Sequence, residues 1–237
     1  MEAIILAGGK GTRLAGVVPN LPKPMAPIAG YPFLRYLLQS LQQQGFTRVI
    51  LSIGHLAAEI RNGFVHWDGP LEIAFYEESE PLGTGGAIRA AMSMARSASV
   101  FVLNGDTFAT VDYAAMQQQH IATASTLSLV LMPVPDTARY GAVQVDGTRV
   151  LGFSEKGRTG PGYINAGVYL MQRTLLESLN LPERFSFEEQ VLMQHLHDLY
   201  PTAFLASGYF IDIGIPEDYA RARKELPRKI SFDEIGE

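Results

Sequence analysis

Four short apolar runs in the first half of the chain, separated by three helix-like stretches, constrain the fold more than any other feature. Ala3-Ile4-Ile5-Leu6-Ala7 is apolar and rich in β-branched residues, as a buried strand is. "RVILSI" (48–53), "LEIAFYE" (71–77) and "SVFVLNGD" (99–106) repeat the pattern. Between them Tyr31 to Gln44 reads as a helix, with Pro32 suited to its first turn and Gly45 to its C-terminal cap. Ala57 to Phe64 and Gly85 to Arg96 read as two more helices. Such alternation predicts right-handed βαβ units, and so an α/β, Rossmann-like, mostly parallel sheet flanked by helices on both faces.

From residue 125 the pattern changes. "STLSLVLMPV", "GAVQVD", "RVLGFSEK" and "GYINAGVYLM" are strand-like, with a hairpin signal at Asp146-Gly147. Ser186-Phe187-Glu188-Glu189 reads as a capping box opening a helix to about Tyr200. "FLASGYFIDIG" reads as a returning strand, and Glu217 to Glu225 as a closing helix. The expectation is one domain over 1–237 with a mixed sheet. Its nucleotide-binding half covers about 1–124, and a smaller sheet-rich lobe for a second ligand, with closing elements, covers about 125–225.

The first apolar run leads into "LAGGKGTRL" (6–14). Glycines there let backbone approach a ligand closely, and Lys10 and Arg13 add positive charge beside exposed N–H groups, a combination suited to polyphosphate. The order of residues matches neither the Walker loop nor the dinucleotide fingerprint. "PLGTGGAI" (81–88) is a second glycine turn entering a helix, placed for a base or ribose, and "LPKPM" holds Lys23 between two prolines. Asp106 and Asp212 each end an apolar strand, where ligands of parallel sheets bind, and two such carboxylates suit Mg²⁺.

Composition narrows the partners. The chain has 237 residues, 47% of them hydrophobic, and a net charge of −5, which argues against general nucleic-acid binding and makes any positive patch local. The absence of cysteine removes thiol chemistry. No 18-residue apolar run or N-terminal targeting pattern appears, so the expectation is a cytoplasmic protein with no membrane partner; homo-oligomerisation is left open. His195 and His197 are two apart, which points them to different sides of a helix, so they read as ordinary helix residues.

Taken in order, "GGKGTRL", "PKPM", "PLGTGGA", "NGD", Glu155-Lys156, "NAG" (165–167) and "DIGIPEDY" (212–219) resemble the sugar-1-phosphate nucleotidyltransferases, from Ala3 to about Arg223. One departure is Gly157, where many members carry proline. The resemblance implies a member without the hexapeptide-repeat acyltransferase domain, and the reaction of an NTP with a sugar 1-phosphate to give a nucleotide sugar and pyrophosphate. It implies that Leu6, Ala7, Gly8, Gly9, Gly11, Thr12, Gly83 and Thr84 line the nucleotide and that Arg13 holds the triphosphate. Lys23 and Lys156 would grip phosphates, with Lys156 on the sugar phosphate, and Asp106 and Asp212 would hold Mg²⁺. Gly141, Glu155 and Asn165 would receive the sugar, and Glu78, ahead of the second glycine turn, would read the base as a guanine N1–H and N2–H₂ acceptor.

"RLAGVVPNLPKPM" and "EPLGTGGAI" are most similar to short bacterial members that activate D-glycero-D-manno-heptose 1-phosphate with GTP for surface polysaccharides. Mannose 1-phosphate guanylyltransferases and uridylyltransferases acting on amino sugars are the alternatives within the family. A nucleotide-sugar-sensing module without turnover is the alternative outside it; an intact Arg13, Lys23, Asp106 and Asp212 set argues for turnover.

Overall fold

The computed structural model describes residues 1–9, 14, 16–67, 69–230 and 232. Strand β1 (Glu2–Leu6) is followed by a small hairpin, β2 (Pro27–Ile28) and β3 (Tyr31–Pro32), then by helix α1 (Phe33–Gln43). β4 (Arg48–Ile53), α2 (Ala57–Phe64), β5 (Glu72–Glu77), α3 (Gly83–Met92) and β6 (Ser99–Asn104) complete the alternating half. There follow β7 (Thr107–Ala109), α4 (Tyr113–Ala122), β8 (Leu127–Val134), β9 (Val143–Asp146), β10 (Arg149–Phe153) and β11 (Gly162–Gln172). A π-helix (Glu188–Met193), α5 (Leu196–Leu199), β12 (Thr202–Leu205), β13 (Phe210–Asp212) and α6 (Pro216–Glu225) close the chain.

Nine strands form one sheet in the order β5-β4-β1-β6-β11-β8-β12-β10-β9. The first four are parallel, while β11 runs antiparallel to β6 and β8. The strands of the second half therefore extend the same sheet. Alternation of side chains along each strand divides the core: Ala3, Ile5, Val49 and Leu51 pack on one face with α1, and Ile4, Ile50, Val100 and Val102 pack on the other with α3.

The sequence reading held no element for β2, β3, β7 or α4, and three others differ from it in form. α3 stops at Met92, four residues early, where Ser93 Oγ turns back to donate to Ala90 O (2.6 Å) and competes with the helix ladder. The helix expected from Ser186 is interrupted. Its first stretch is π-helical, and the Ser186 N–H is taken by Gln190 Oε1 (2.7 Å) rather than by Glu189, one residue further on as the wider turn requires. The returning strand is two strands. β12 lies parallel to β8 in the main sheet, the chain bends through Gly208, and β13 pairs antiparallel with β7 in a separate ribbon.

Candidate active site

The register of β1 sets the site. Leu6 lies opposite Ser52 on one side and Asn104 on the other, so three strands end at one edge. β4 and β5 lie to one side of β1 and β6 to the other, making the gap between β1 and β6 the point where strand order reverses and ligands of such sheets bind. Gly105 N donates to Leu6 O (2.9 Å), which seats the turn after β6 directly against the loop after β1.

Beyond this edge lies a cavity of about 610 Å³ lined by Leu6, Gly8, Gly9, Glu78, Gly83, Thr84 and Arg184, among others. Glu78 ties the two glycine loops. Its carboxylate accepts from Leu82 N (3.1 Å), and a Cβ on Gly8 would stand 2.9 Å from its other oxygen, so a side chain at residue 8 would displace that carboxylate. Burial raises the Glu78 carboxyl above the usual carboxylate range.

A second cavity of about 240 Å³ shares Leu6, Gly9 and Thr84 with the first and adds Lys23, Asn104, Asp106 and Glu188. Lys23 opens a short 3₁₀ turn between Pro22 and Pro24, which stiffens its backbone, and its Nζ reaches Asp106 Oδ2 at 2.8 Å. The β13–β7 pairing brings Asp212 beside Asp106: Ile213 N donates to Asp106 O at 3.0 Å. Burial, then the Asp106 charge, raises the Asp212 carboxyl, against the Gly214 N–H (2.7 Å), Arg139 and Lys23. Two mutually repelling carboxylates at a strand end are a fitting seat for a divalent cation, which relieves that repulsion. Among the described residues no third acidic or histidine side chain joins them, leaving the rest of a coordination sphere to water and substrate oxygens.

Lys23, Asp106 and Asp212, named from sequence, are thus brought together, as are Leu6, Ala7, Gly8, Gly9, Glu78, Gly83 and Thr84 along the cleft. Gly11, Thr12 and Arg13 lie outside the described residues. Gly141 is buried at the loop that Ser154 N clamps through Ala142 O (2.8 Å), so Glu155 and Lys156 follow directly beside it. Both side chains are exposed and, among the described residues, without a hydrogen bond or ion pair. Asn165 stands at a bulge of β11, where its Oδ1 accepts from Gly167 N (3.0 Å) and its Nδ2 donates to Tyr169 Oη (2.8 Å), leaving one amide N–H for a ligand. Gly167 needs its glycine: φ is +68°, and a Cβ would stand 2.4 Å from the Asn104 amide.

Sequence reasoning missed Arg139, which pairs with Asp212 (3.2 Å) and with Asp218. It also missed Arg184 and Glu188 in the cleft. For Glu188 the capping-box pattern masked the signal. Arg184 and Arg139 carried none, since single arginines in loops are ordinary.

Residues 2–229 match the nucleotidyl transferase family. The chain belongs to that family. A D-glycero-alpha-D-manno-heptose 1-phosphate guanylyltransferase of Aneurinibacillus thermoaerophilus is 44% identical to this nucleotidyltransferase, over 97% of the chain and 100% of that protein. A mannose-1-phosphate guanylyltransferase of Mycobacterium tuberculosis is 34% identical over 98% of the chain and 66% of that protein. Among solved structures, HddC from Yersinia pseudotuberculosis complexed with GMP-PN superposes with a TM-score of 0.84 at 39% identity, covering 95% of this chain and 99% of that one. The α/β fold with a mixed sheet agrees with the sequence expectation, and no helix among the described residues is long and apolar enough to cross a membrane.

Proposed function

We propose that the chain catalyses attack of a sugar 1-phosphate on GTP, giving a GDP-sugar and pyrophosphate, with D-glycero-α-D-manno-heptose 1-phosphate as the best acceptor. The observation that carries this reading is two adjoining cavities sharing Leu6, Gly9 and Thr84, with Glu78 lining the larger, Lys23 and Asp106 lining the smaller, and Asp212 beside Asp106. The 44% identical heptose 1-phosphate enzyme and the HddC–GMP-PN complex support the choice of sugar and base.

The chemistry needs no general base. A phosphate oxygen of the sugar phosphate is already anionic; it forms a bond to the α-phosphorus as the bond to the bridging oxygen breaks, and pyrophosphate leaves with that electron pair. What the protein supplies is alignment and charge neutralisation. In this reading the N–H groups of the loop after β1 and Arg13 face the triphosphate, Lys23 neutralises charge at the α-phosphate, and Lys156 holds the sugar phosphate. Asp106 and Asp212 would hold Mg²⁺, which when bound supplies positive charge to the reacting phosphate oxygens. Glu78 faces guanine, whose adjacent N1–H and N2–H₂ donors match one carboxylate; uracil offers a single donor between two carbonyls. Glu155 and the remaining Asn165 N–H face sugar hydroxyls, with Gly141 shaping the loop that carries Glu155.

Pyrophosphate release measured across four NTPs and a panel of sugar 1-phosphates tests the reading. Expected is GTP with the manno-configured heptose 1-phosphate as the best pair and mannose 1-phosphate as a slower acceptor in direct competition. A preference for mannose 1-phosphate, or for an N-acetylamino sugar phosphate with UTP, would overturn it.

A further inference from the structure

Glu188 lines the smaller cavity and bonds Thr84, which lines both. It opens the π-helix, a conformation that concentrates at functional sites, and is half-buried in the wall of the smaller cavity with Lys23, Asn104 and Asp106. Among the described residues only one of its oxygens is engaged. Oε2 accepts from Thr84 Oγ1 (2.7 Å) and Ser186 Oγ (3.3 Å), and Thr84 Oγ1 itself accepts from Phe187 N (2.9 Å), which fixes the hydroxyl rotor toward Glu188. Oε1 has no protein donor among the described residues, and Glu188 forms no ion pair there; Lys23 is taken by Asp106.

A carboxylate held this way repels phosphate and does not join Asp106 and Asp212 in a set able to share one metal ion. Its free oxygen therefore suits neutral donors. Phe187, the residue before Glu188, packs its ring edge-on to Tyr169 (centroids 4.9 Å), and Asn165 donates to the Tyr169 hydroxyl. Glu188 thus bonds the glycine loop of α3 through Thr84 and adjoins a residue that packs against the Asn165 bulge. We propose that Glu188 is a specificity-determining residue of the acceptor site, whose Oε1 accepts hydrogen bonds from ring hydroxyls of the sugar while Thr84 and Ser186 hold Oε2. This rests on the sugar 1-phosphate reading above.

The test is steady-state kinetics of the full chain and of Glu188→Gln, which keeps shape and one acceptor oxygen, with GTP and the heptose or mannose 1-phosphate. A hydrogen bond to a charged acceptor predicts about a 10- to 100-fold rise in KM for the sugar phosphate, with KM for GTP changed less than about threefold. With deoxy-mannose 1-phosphates, the analogue lacking the contacted hydroxyl should give equal KM in both enzymes. Glu189→Gln, an exposed neighbour, should leave both constants unchanged. An unaltered sugar KM, or a GTP KM that rises in parallel, would overturn the proposal, the latter assigning Glu188 to the ribose or to loop positioning. Failure of the wild-type chain to turn over any sugar phosphate would remove the activity reading and this assignment together. A normal wild type with an unchanged Glu188→Gln ratio would remove only the assignment.

Discussion

Each acidic group in the cleft has a partner set that assigns it a different behaviour. Asp106 and Asp212 stand side by side, so removing either charge relieves a repulsion. Asp106→Asn and Asp212→Asn are therefore expected to fold with little change in Tm while losing at least ~100-fold in turnover, because several kcal/mol of transition-state charge stabilisation depend on both. Asp106→Asn should also lower the Asp212 carboxyl, readable by NMR titration; wild-type rates in either variant would defeat the metal assignment. Glu78 is raised by burial, so it protonates at higher pH than an ordinary carboxylate. As pH falls through that raised value the proposed guanine acceptor is lost, and KM for GTP should climb while KM for the sugar phosphate stays level. Glu78→Gln should abolish that pH dependence and cost about 10- to 100-fold in kcat/KM for GTP; equal use of UTP and GTP by the unaltered chain would contradict the base assignment. The carboxylates at strand ends were legible because apolar runs mark the strands and the residue after them. Glu188 was not, since its role depends on Thr84, 104 residues away, meeting it across the cleft.

Secondary elements show the same division. Strands β1, β4 and β6 were readable from uninterrupted apolar runs, whereas the π-helix and the β12–β13 break were not, because both depend on tertiary partners: Gln190 reaching the Ser186 N–H, and β7 offering a second pairing edge. At the edge opposite the site, buried charge ties the strand starts together. Arg48 on β4 donates to Glu2 on β1 (2.6 Å) and to Glu72 on β5 (2.8 Å), and the second Glu2 oxygen accepts from Arg96 N and Ser97 N. Burial pushes Glu2 up, but the N–H groups and the guanidinium outweigh it and hold the carboxyl below its usual value of 4.5. A depressed folded value means this contribution to stability is complete above about pH 4.5 and is lost as pH falls through the folded pKa. Arg48→Met leaves Glu2 buried without its cation and should destabilise the chain by about 3–5 kcal/mol. Because the pair is at the far end of the strands, kcat at 25 °C should be retained; a denaturant midpoint matching wild type would refute the clamp.

Taken whole, the molecule joins its earlier and later strands through β11. Residues Val168–Gln172 pair with Ser99–Leu103 of β6, and Gly162–Asn165 pair with Leu131–Val134 of β8, so one strand is shared by the two parts of the sheet. The bulge between these two stretches places Asn165 and Gly167 at the cleft, which makes the site part of the seam. Separating the halves would expose a hydrogen-bonding edge on β6 or β8 along with buried Leu103, Leu129 and Tyr169, so neither half is expected to melt alone. The chain has one tryptophan, Trp67, which lies on the nucleotide side against Phe64 and reports that half specifically, while far-UV circular dichroism reports all strands and helices. Thermal melts followed by the two signals should coincide. Saturating GTP with Mg²⁺, at about 100 times its Kd, adds about 2.7 kcal/mol to whatever unit unfolds cooperatively, which for a chain of this size is a rise of about 5–10 °C. Both signals should move together by that amount. A Trp67 transition that shifts with GTP while a later circular dichroism transition stays fixed would show two independent units and would sever the seam from the site.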